Sequence, residues 1–592
     1  MDCTMSNPSR FARRLLTMRL DLTSRRQRRR RGTALFLTSL AAGLVIFAFM
    51  VIIIWIGLKE SSGGMIASGY TFKHYRELFS EAFVYKALLN TIGFAAISLA
   101  VAFAIAVPLA WIVERSDLPG RQVIYFLMIV GVLIPGLFTA MGWMFLLHPD
   151  IGMLNVALRE SLGFEHGPIN IISVPGMGFV QGLGMASIAF IILAPSYRAL
   201  HPTLEEAARV HGLSLYQTLR HVSIPLVFPA TLAAAIYIVT ISFAAFEVPA
   251  VIGLSDRIFT FSTLVYFEAN PQDGFPDYGP VSAMSSLMIV AALLLSGCYV
   301  RVLKKSHKYA SITGQAYAPR IVKLKRGRTI IWSAIILFFV VGKILPLLLL
   351  GWAAIMPWLQ VPTFKALSDV SLVSFSKVDW GLVWEGFKNT ALLMLVVPTL
   401  TTVLSFVISW ILVRSNFPGK VLIDFCAFLP HAVPNIIFAV STVVMALFLL
   451  PTWIPLYGTL NILILAYCLV WIAFGTRSFS SAMTQIHKEL DEAGMVSGMS
   501  LYAVLVRILV PLLRPVLFNA WLWIALLVGG EFTMASLLST TRANMTMPVV
   551  TWSYWHGGQM SEASAVALVT IAFMVPMVAL YWTLSRRRLQ IA

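Results

Sequence analysis

Long apolar stretches alternate with short polar segments along the whole of this 592-residue chain. Runs rich in Leu, Ile, Val, Ala and Phe occupy residues 33–58, 87–113, 122–147, 173–197, 227–252 and 281–303. A second set occupies 329–356, 390–413, 421–450, 457–476, 513–530 and 562–584. A helix needs roughly 20 predominantly apolar residues to cross a bilayer. Each run is read as one such helix, so the pattern predicts an all-α polytopic membrane protein with about 12 transmembrane helices. The alternating segments of a membrane barrel are missing. The stretch 421–450 is long and holds Pro430 and Pro434. Proline removes a helical hydrogen bond, so a kink or break is predicted there.

One polar segment between these runs occurs twice. Glu206-Ala207-Ala208-Arg209-Val210-His211-Gly212, Ser214-Leu215-Tyr216 and Pro225 recur as Glu492-Ala493-Gly494-Met495-Val496-Ser497-Gly498, Ser500-Leu501-Tyr502 and Pro511, each position 286 residues later. Other pairs repeat at an offset of 299: Asn90-Thr91 with Asn389-Thr390, Arg115-Ser116 with Arg414-Ser415, Pro119-Gly120-Arg121 with Pro418-Gly419-Lys420, and Pro135 with Pro434. The lost residues fit an outer loop that is long at 148–172 and short near 451–457. Two copies in one order point to gene duplication. With six spans per half, both copies have the same orientation, a parallel repeat about an axis along the membrane normal. The organisation is a basic tail 1–32, a first unit 33–310, a linker 311–328 and a second unit 329–592.

Composition agrees with the span pattern. Hydrophobic residues make up 58% and charged residues 12%, against about 25% charged in soluble domains, and mean hydropathy is +0.83. The net charge of +18 is not the mark of a nucleic-acid binder. Its Lys and Arg sit where the positive-inside rule places them: ten arginines before the first span, nine Lys and Arg in 301–328, and Arg586-Arg587-Arg588 at the end. Both termini and both repeated segments are therefore expected on the cytoplasmic face, with the tail against anionic headgroups. The first apolar run is too long for a signal-peptide core and is expected to be retained. Cys3, Cys298, Cys426 and Cys468 are scattered, without metal-ligand spacing.

The repeated segment has a local logic. Glycine tolerates the positive φ that ends a helix, at Gly212 and Gly498. Ser214 and Ser500 follow as N-caps of a next helix. Gln217 completes a capping box in the first copy, whereas Ala503 leaves only half a box in the second. The predicted unit is a helix, a sharp turn, a short helix, and a proline leading into a span: a compact knob.

This segment, Glu-Ala-Ala/Gly, three residues, Gly, and a proline thirteen residues on, resembles the EAA loop of bacterial ABC importer permeases. The resemblance covers essentially the whole chain, as two fused permease units. It implies that Glu206, Ala207, Gly212, Ser214, Glu492, Ala493, Gly498 and Ser500 couple the chain to two copies of a separate ATP-binding subunit. It also implies an extracytoplasmic substrate-binding protein and a place in the bacterial inner membrane. ATP and Mg belong to the partner; this chain is expected to bind no cofactor and no metal, and to have no catalytic residues. In keeping with that, G-x-x-x-x-G-K-[ST] and H-E-x-x-H do not occur. Gly494, where the first copy has Ala208, is expected to weaken the local helix by about 1 kcal/mol and to make the two ATPase contacts non-identical.

Ionisable residues within spans mark transport paths. Glu247 and Glu531, 41 and 39 residues after Glu206 and Glu492, are candidates to line a path or gate. The other reading places them in water near the span ends. His148, His431 and Lys343 are weaker candidates. The resemblance is to the ferric-iron subgroup, which implies ferric iron as substrate. 2-Aminoethylphosphonate, a polyamine, thiamine or an oxyanion belong to related subgroups. An ion-coupled secondary transporter is the competing class.

Overall fold

The computed structural model describes residues 37, 39–62, 65–200, 202–271, 274–306, 322–324, 327–415, 419–451 and 454–589. The basic tail and most of the predicted linker lie outside these residues. Among the described residues the strands form one antiparallel hairpin, Lys59–Ser62 with Met65–Tyr70, and the other regular elements are helical. Ten helices are long and apolar enough to span a membrane, or up to twelve when each of two bent pairs counts as one span. This matches the twelve apolar runs.

The bent pairs are the two third spans. Arg121–Leu133 and Gly136–Leu147 meet at 91°, and Lys420–His431 and Asn435–Leu449 at 105°. Pro135 and Pro434 stand just before the second helix of each pair, with φ −58° and −57° and ψ 137° in both. Pro430 is accommodated within a helix, so Pro434 is the breaking residue. The first break carries the same cause in Pro135, although only the second was predicted.

The fifth spans also differ from expectation. They run Leu215–Ala244 and Leu501–Gly529 rather than 227–252 and 513–530. The short helix of each knob is thus the first turn of the span, joined to it by a π turn at Leu219–Ser223 or Leu505–Leu509. Two further π turns occur among the described residues, at Val340–Ile344 and Met445–Leu449. A proline follows each turn by two residues: Pro225, Pro346, Pro451 and Pro511. The carbonyl four residues before each proline, which would have received its missing N–H, falls inside the widened turn. At Pro225, Pro346 and Pro511, where the helix continues, the π geometry opens it where the pyrrolidine ring would otherwise clash.

The described contacts divide the chain into two compact units. One is Met1–Ala48, Val397–His431 and Cys468–Ile524; the other is Phe49–Val396, Ala432–Tyr467 and Ala525–Ala592. In the first, Phe406, Phe479, Met483, Leu505 and Leu509 form the core. Ser405 and Ser409 there donate to the carbonyls of Ile472 and Thr476 at 3.2 and 2.9 Å. In the second, Ala102, Ala106, Ala110, Ala189, Phe190 and Ala194 pack helices Ala82–Arg115 and Val174–Arg198 together. Their approach is close: a Cβ on Gly182 would lie 2.9 Å from Ser98 O. Small residues let backbones meet where lipid supplies no hydrophobic drive.

Two matched tie points in the second unit explain the repeated Asn-Thr pair. Asn90 Nδ2 donates to Phe259 O and Thr91 Oγ1 accepts from Phe261 N, at 2.9 and 2.8 Å. Asn389 Nδ2 donates to Met545 O and Thr390 Oγ1 accepts from Met547 N, both at 2.9 Å. Each pair fixes the start of a helix, Phe261–Ala269 or Met547–His556, against the second span of its half.

Replacing Thr91 with Val leaves the buried Phe261 N–H unpaired. The expected loss is about 1–3 kcal/mol, read as a lower thermal unfolding midpoint of the purified protein, with Thr91→Ser close to wild type. Equal midpoints for Thr91→Val and wild type would show that the tie carries no stability.

Candidate functional site

Both knobs have the predicted build. Helix Pro202–Val210 ends at Gly212, whose φ is +83°. Helix Glu489–Val496 ends at Gly498, with φ +86°. The turns close alike: Gly212 N donates to Arg209 O and Leu213 N to Ala208 O, and Gly498 N to Met495 O and Met499 N to Gly494 O. Ser214 accepts from Gln217 N, and Gln217 Oε1 accepts from Ser214 N in return, a full capping box. Ser500 accepts from Ala503 N alone. Glu492 and both motif alanines, Ala207 and Ala493, are exposed, and Glu206 is half-buried. Beside them Val210 and Val496 are 86% and 88% exposed, and Tyr216 and Tyr502 67% and 69%. These pairs also recur at 286, so each knob presents the same apolar valine and tyrosine to solvent.

The root of each knob is an ion pair. Arg115 Nη2 lies 3.2 Å from Glu205 Oε2 and donates to Leu200 O at 3.1 Å. Arg414 Nε lies 3.1 Å from Asp491 Oδ2, and its Nη2 donates to Ile486 O at 2.7 Å. Arg115 and Arg414 belong to the polar loop repeated at 299, while Glu205/Asp491 and Leu200/Ile486 repeat at 286. Burial raises the Asp491 carboxyl above the ordinary carboxylate range, with Arg414 pulling it back and Glu492 pushing it further up. Glu205 and Asp491 were not singled out from the sequence. The signal was present: an acid one position before the motif glutamate in both copies. In the first loop Asp117 also ties to the end of the linker. It accepts from Leu324 N at 2.8 Å and pairs with Arg328, and Arg328 holds its carboxyl below the usual range.

Gly494 has a steric reason. A Cβ there would come within 2.7 Å of Ile508 Cδ1 and 3.2 Å of Val504 Cγ2. In the first copy Ala208 is buried and the position of Ile508 is taken by the smaller Val222. One methyl has moved from one side of the contact to the other. The Ala-to-Gly difference therefore lies inside the knob, not on its exposed face.

Glu247 and Glu531 lie just beyond the ends of the fifth spans, both in the compact unit that holds Phe49–Val396 and Ala525–Ala592. Glu247 is half-buried, and its Oε2 accepts from Leu137 N at 3.1 Å, at the N-terminus of the helix that follows the first break. A carboxylate is favoured at such an end. Glu531 is 7% exposed and accepts from Met534 N at 3.1 Å, turning the chain into its own next helical turn. The fully buried Tyr467 side chain stands beside Glu531. Phe246 and Phe532, which flank these carboxylates in the sequence, stack at 5.6 Å between ring centroids. Lys343, buried, donates to Gly131 O at 3.3 Å, at the carbonyl end of the helix before the same break. His148 accepts from the N–H groups of Asp150 and Ile151 and caps a turn. His431 is exposed and lies beside Phe428. Among the described residues no three or more His, Cys, Asp or Glu are grouped to hold a metal ion.

Comparison with known proteins places these features in a family. The model for binding-protein-dependent transport system inner membrane components matches twice, at residues 106–307 and 402–590. A putative ferric transport system permease protein FbpB 1 of Haemophilus influenzae is 24% identical over 83% of this chain and 76% of its own. A ferric transport system permease protein FbpB of Actinobacillus pleuropneumoniae is 27% identical over 58% of this chain and 49% of its own, so the match spans about half of that relative. Among solved structures, a bacterial ABC transporter that imports the acidic polysaccharide alginate matches at TM-score 0.32 and 17% identity, over 42% of this chain and 85% of that one.

The Gly494 contact yields a two-sided test. Gly494→Ala alone should destabilise the purified protein by about 1–3 kcal/mol through overpacking. Adding Ile508→Val, which restores the first copy's pairing, should recover most of the loss. Additive effects of the two substitutions in thermal melts would rule out the volume exchange.

Proposed function

Because the chain belongs to the family of binding-protein-dependent transport system inner membrane components, we propose that it is the whole membrane permease of an ATP-driven importer. It supplies both transmembrane halves from one polypeptide. Each knob docks into one copy of a separate ATP-binding subunit, which holds ATP and Mg and performs the hydrolysis. An extracytoplasmic binding protein delivers the substrate. Both termini and both knobs face the cytoplasm across a bacterial inner membrane, a reading supported by the distribution of Lys and Arg.

The observation that carries this reading is the pair of knobs, built alike down to the left-handed glycine, the serine cap and the buried arginine at the root. Glu206, Ala207, Glu492 and Ala493 belong to the docking faces. Gly212 and Gly498 set the turns, and Ser214 and Ser500 start the helices that become the fifth spans. Exposed Val210, Tyr216, Val496 and Tyr502 add apolar anchors of the kind that dominates interface energies.

The proposed substrate is ferric iron. Two relatives carry ferric transport in their names, and the carboxylates of Glu247 and Glu531 stand near the proposed path with oxygen atoms that suit a hard cation. Both carboxylates are engaged with backbone N–H groups, so passage does not depend on a tight site that would stall the ion.

Two outcomes test these statements. The purified wild-type chain should carry two ATP-binding subunits per copy in an intact mass measurement. Gly212→Val with Gly498→Val should insert normally but lose them, since a β-branched residue at positive φ costs about 1–2 kcal/mol per site. Retained subunits and normal uptake in the double variant would remove the knobs from the coupling role.

Deleting the gene in a strain without other iron importers should lower ferric iron accumulation and growth under chelation. Unchanged iron accumulation with lost uptake of 2-aminoethylphosphonate, a polyamine, thiamine or an oxyanion would move the substrate to that class.

A further inference from the structure

We propose that the stacked rings of Phe246 and Phe532 form the closed gate of the translocation path, with Glu247 and Glu531 as positioning residues that hold its two sides. The proposal rests on the importer reading above and adds the place where the path is shut.

The two phenylalanines are equivalent positions: Phe532 lies 286 residues after Phe246, the offset of the knobs. Two equivalent residues that touch each other lie on the axis relating their segments, because that axis is the only place the operation leaves in position. A substrate crossing between parallel repeats runs along it. A second equivalent pair packs tilted rings against the stack on both sides. Tyr266 lies 4.9 Å from Phe246, and Trp552, its counterpart at 286, lies 5.3 Å from Phe532. Four aromatic rings thus run Tyr266, Phe246, Phe532, Trp552, and the two central ones are 1% and 0% exposed. An apolar constriction of this kind excludes water and hydrated ions together.

Each side of the stack is anchored. Tyr266 and Trp552 stand on helices Phe261–Ala269 and Met547–His556, whose starts are fixed by the Asn-Thr ties. Phe246 is followed by Glu247, whose carboxylate grips the helix end at Leu137. Phe532 is preceded by Glu531, whose carboxylate turns the chain at Met534. Gly530 and Gly136 bring the backbone close to these points: a Cβ on Gly530 would lie 2.8 Å from Pro135 Cγ, and one on Gly136 2.5 Å from Glu247 Oε2. The broken third span therefore meets both sides of the gate.

The gate is also mechanically joined to the knobs. Phe246 comes directly after the span Leu215–Ala244, and Phe532 shortly after Leu501–Gly529. The first turn of each span is the short helix of a knob. In the first half, thirty residues of helix make a rod of about 45 Å with the knob at one end and Phe246 just past the other. Movement of the first knob is delivered along its span to Phe246.

The test uses the full permease with its ATP-binding subunits in proteoliposomes, with thallous ion entry read by quenching of a trapped fluorophore. Without ATP, Phe246→Ala with Phe532→Ala should raise thallous entry at least about ten-fold, since the apolar constriction is gone. Phe246→Leu with Phe532→Leu should stay near wild type. Wild-type leak in an alanine pair that still transports on ATP would overturn the proposal. Should the alanine pair fail to assemble, Phe246→Cys with Phe532→Cys, in a chain with Cys3, Cys298, Cys426 and Cys468 replaced by Ser, gives a second reading. Oxidation to the disulfide, two thiols losing two electrons and two protons to added diamide, should stop ATP-driven uptake, and reduction by dithiothreitol should restore it. Uptake that continues through the cross-linked protein would overturn the gate. A leak that rises in the alanine pair while even wild type shows no ATP-driven uptake would keep the gate and reject the importer reading.

Discussion

The structure depends most on a buried arginine that ties three elements together at the root of each knob. Arg115 ends the second span, reaches the last carbonyls of the fourth at Leu200, and pairs with Glu205 on the knob helix. Arg414 does the same with Ile486 and Asp491. Such a pair adds little net stability, because removing both charges from water costs about as much as their attraction returns. The raised carboxyl of Asp491 shows that burial outweighs the neighbouring guanidinium there. What the pair supplies is position. With one partner gone, the other is left buried and uncompensated, which makes any arrangement other than the native one expensive. A knob set at a fixed angle to two spans can pass a displacement to them, and a loosely hung one cannot.

Much of this was legible in the chain, and the reasons differ by feature. Span number and knob build are local properties: apolar runs, a glycine that can take positive φ, a serine two residues later. They are read directly because the residues that cause them are adjacent. The two-unit organisation was legible because the offsets of 299 and 286 are kept over many positions. The contacts were not. Arg115 with Glu205, Thr91 with Phe261 and Phe246 with Phe532 join segments 90 to 286 residues apart, and nothing in local periodicity links them. The fifth spans were placed too late because Pro225 and Pro511 looked like boundaries, whereas the helix continues through them by widening one turn. Gly494 looked like a helix weakness because propensity is local and Ile508 is not.

The break at Pro135 shows a second use of charge. A helix interrupted inside a membrane protein exposes carbonyls at one end and N–H groups at the other, and neither can turn to water. Here Lys343 serves the carbonyl of Gly131 and Glu247 serves the N–H of Leu137. A cation meets the negative end of one half-helix dipole and an anion the positive end of the next. The sharp bend is therefore an internally neutralised joint. It also accounts for two ionisable residues in an apolar setting without making either a ligand.

The exchange of one methyl between Ala208/Val222 and Gly494/Ile508 bears on how the two halves have diverged. In a permease made of two identical chains, every substitution appears twice at once, and an intermediate with a clash or a void suffers it at both knobs. A chain carrying both halves lets each drift alone, so a poorly packed step is borne at one knob while the other stays sound. Once the compensating change is fixed, the two versions are no longer interchangeable: transplanting Ala into the second copy without Val, or Ile into the first without Gly, recreates the clash. Neighbouring positions inside each knob have become mutually dependent, and the halves have separated in sequence while their outward faces stay alike.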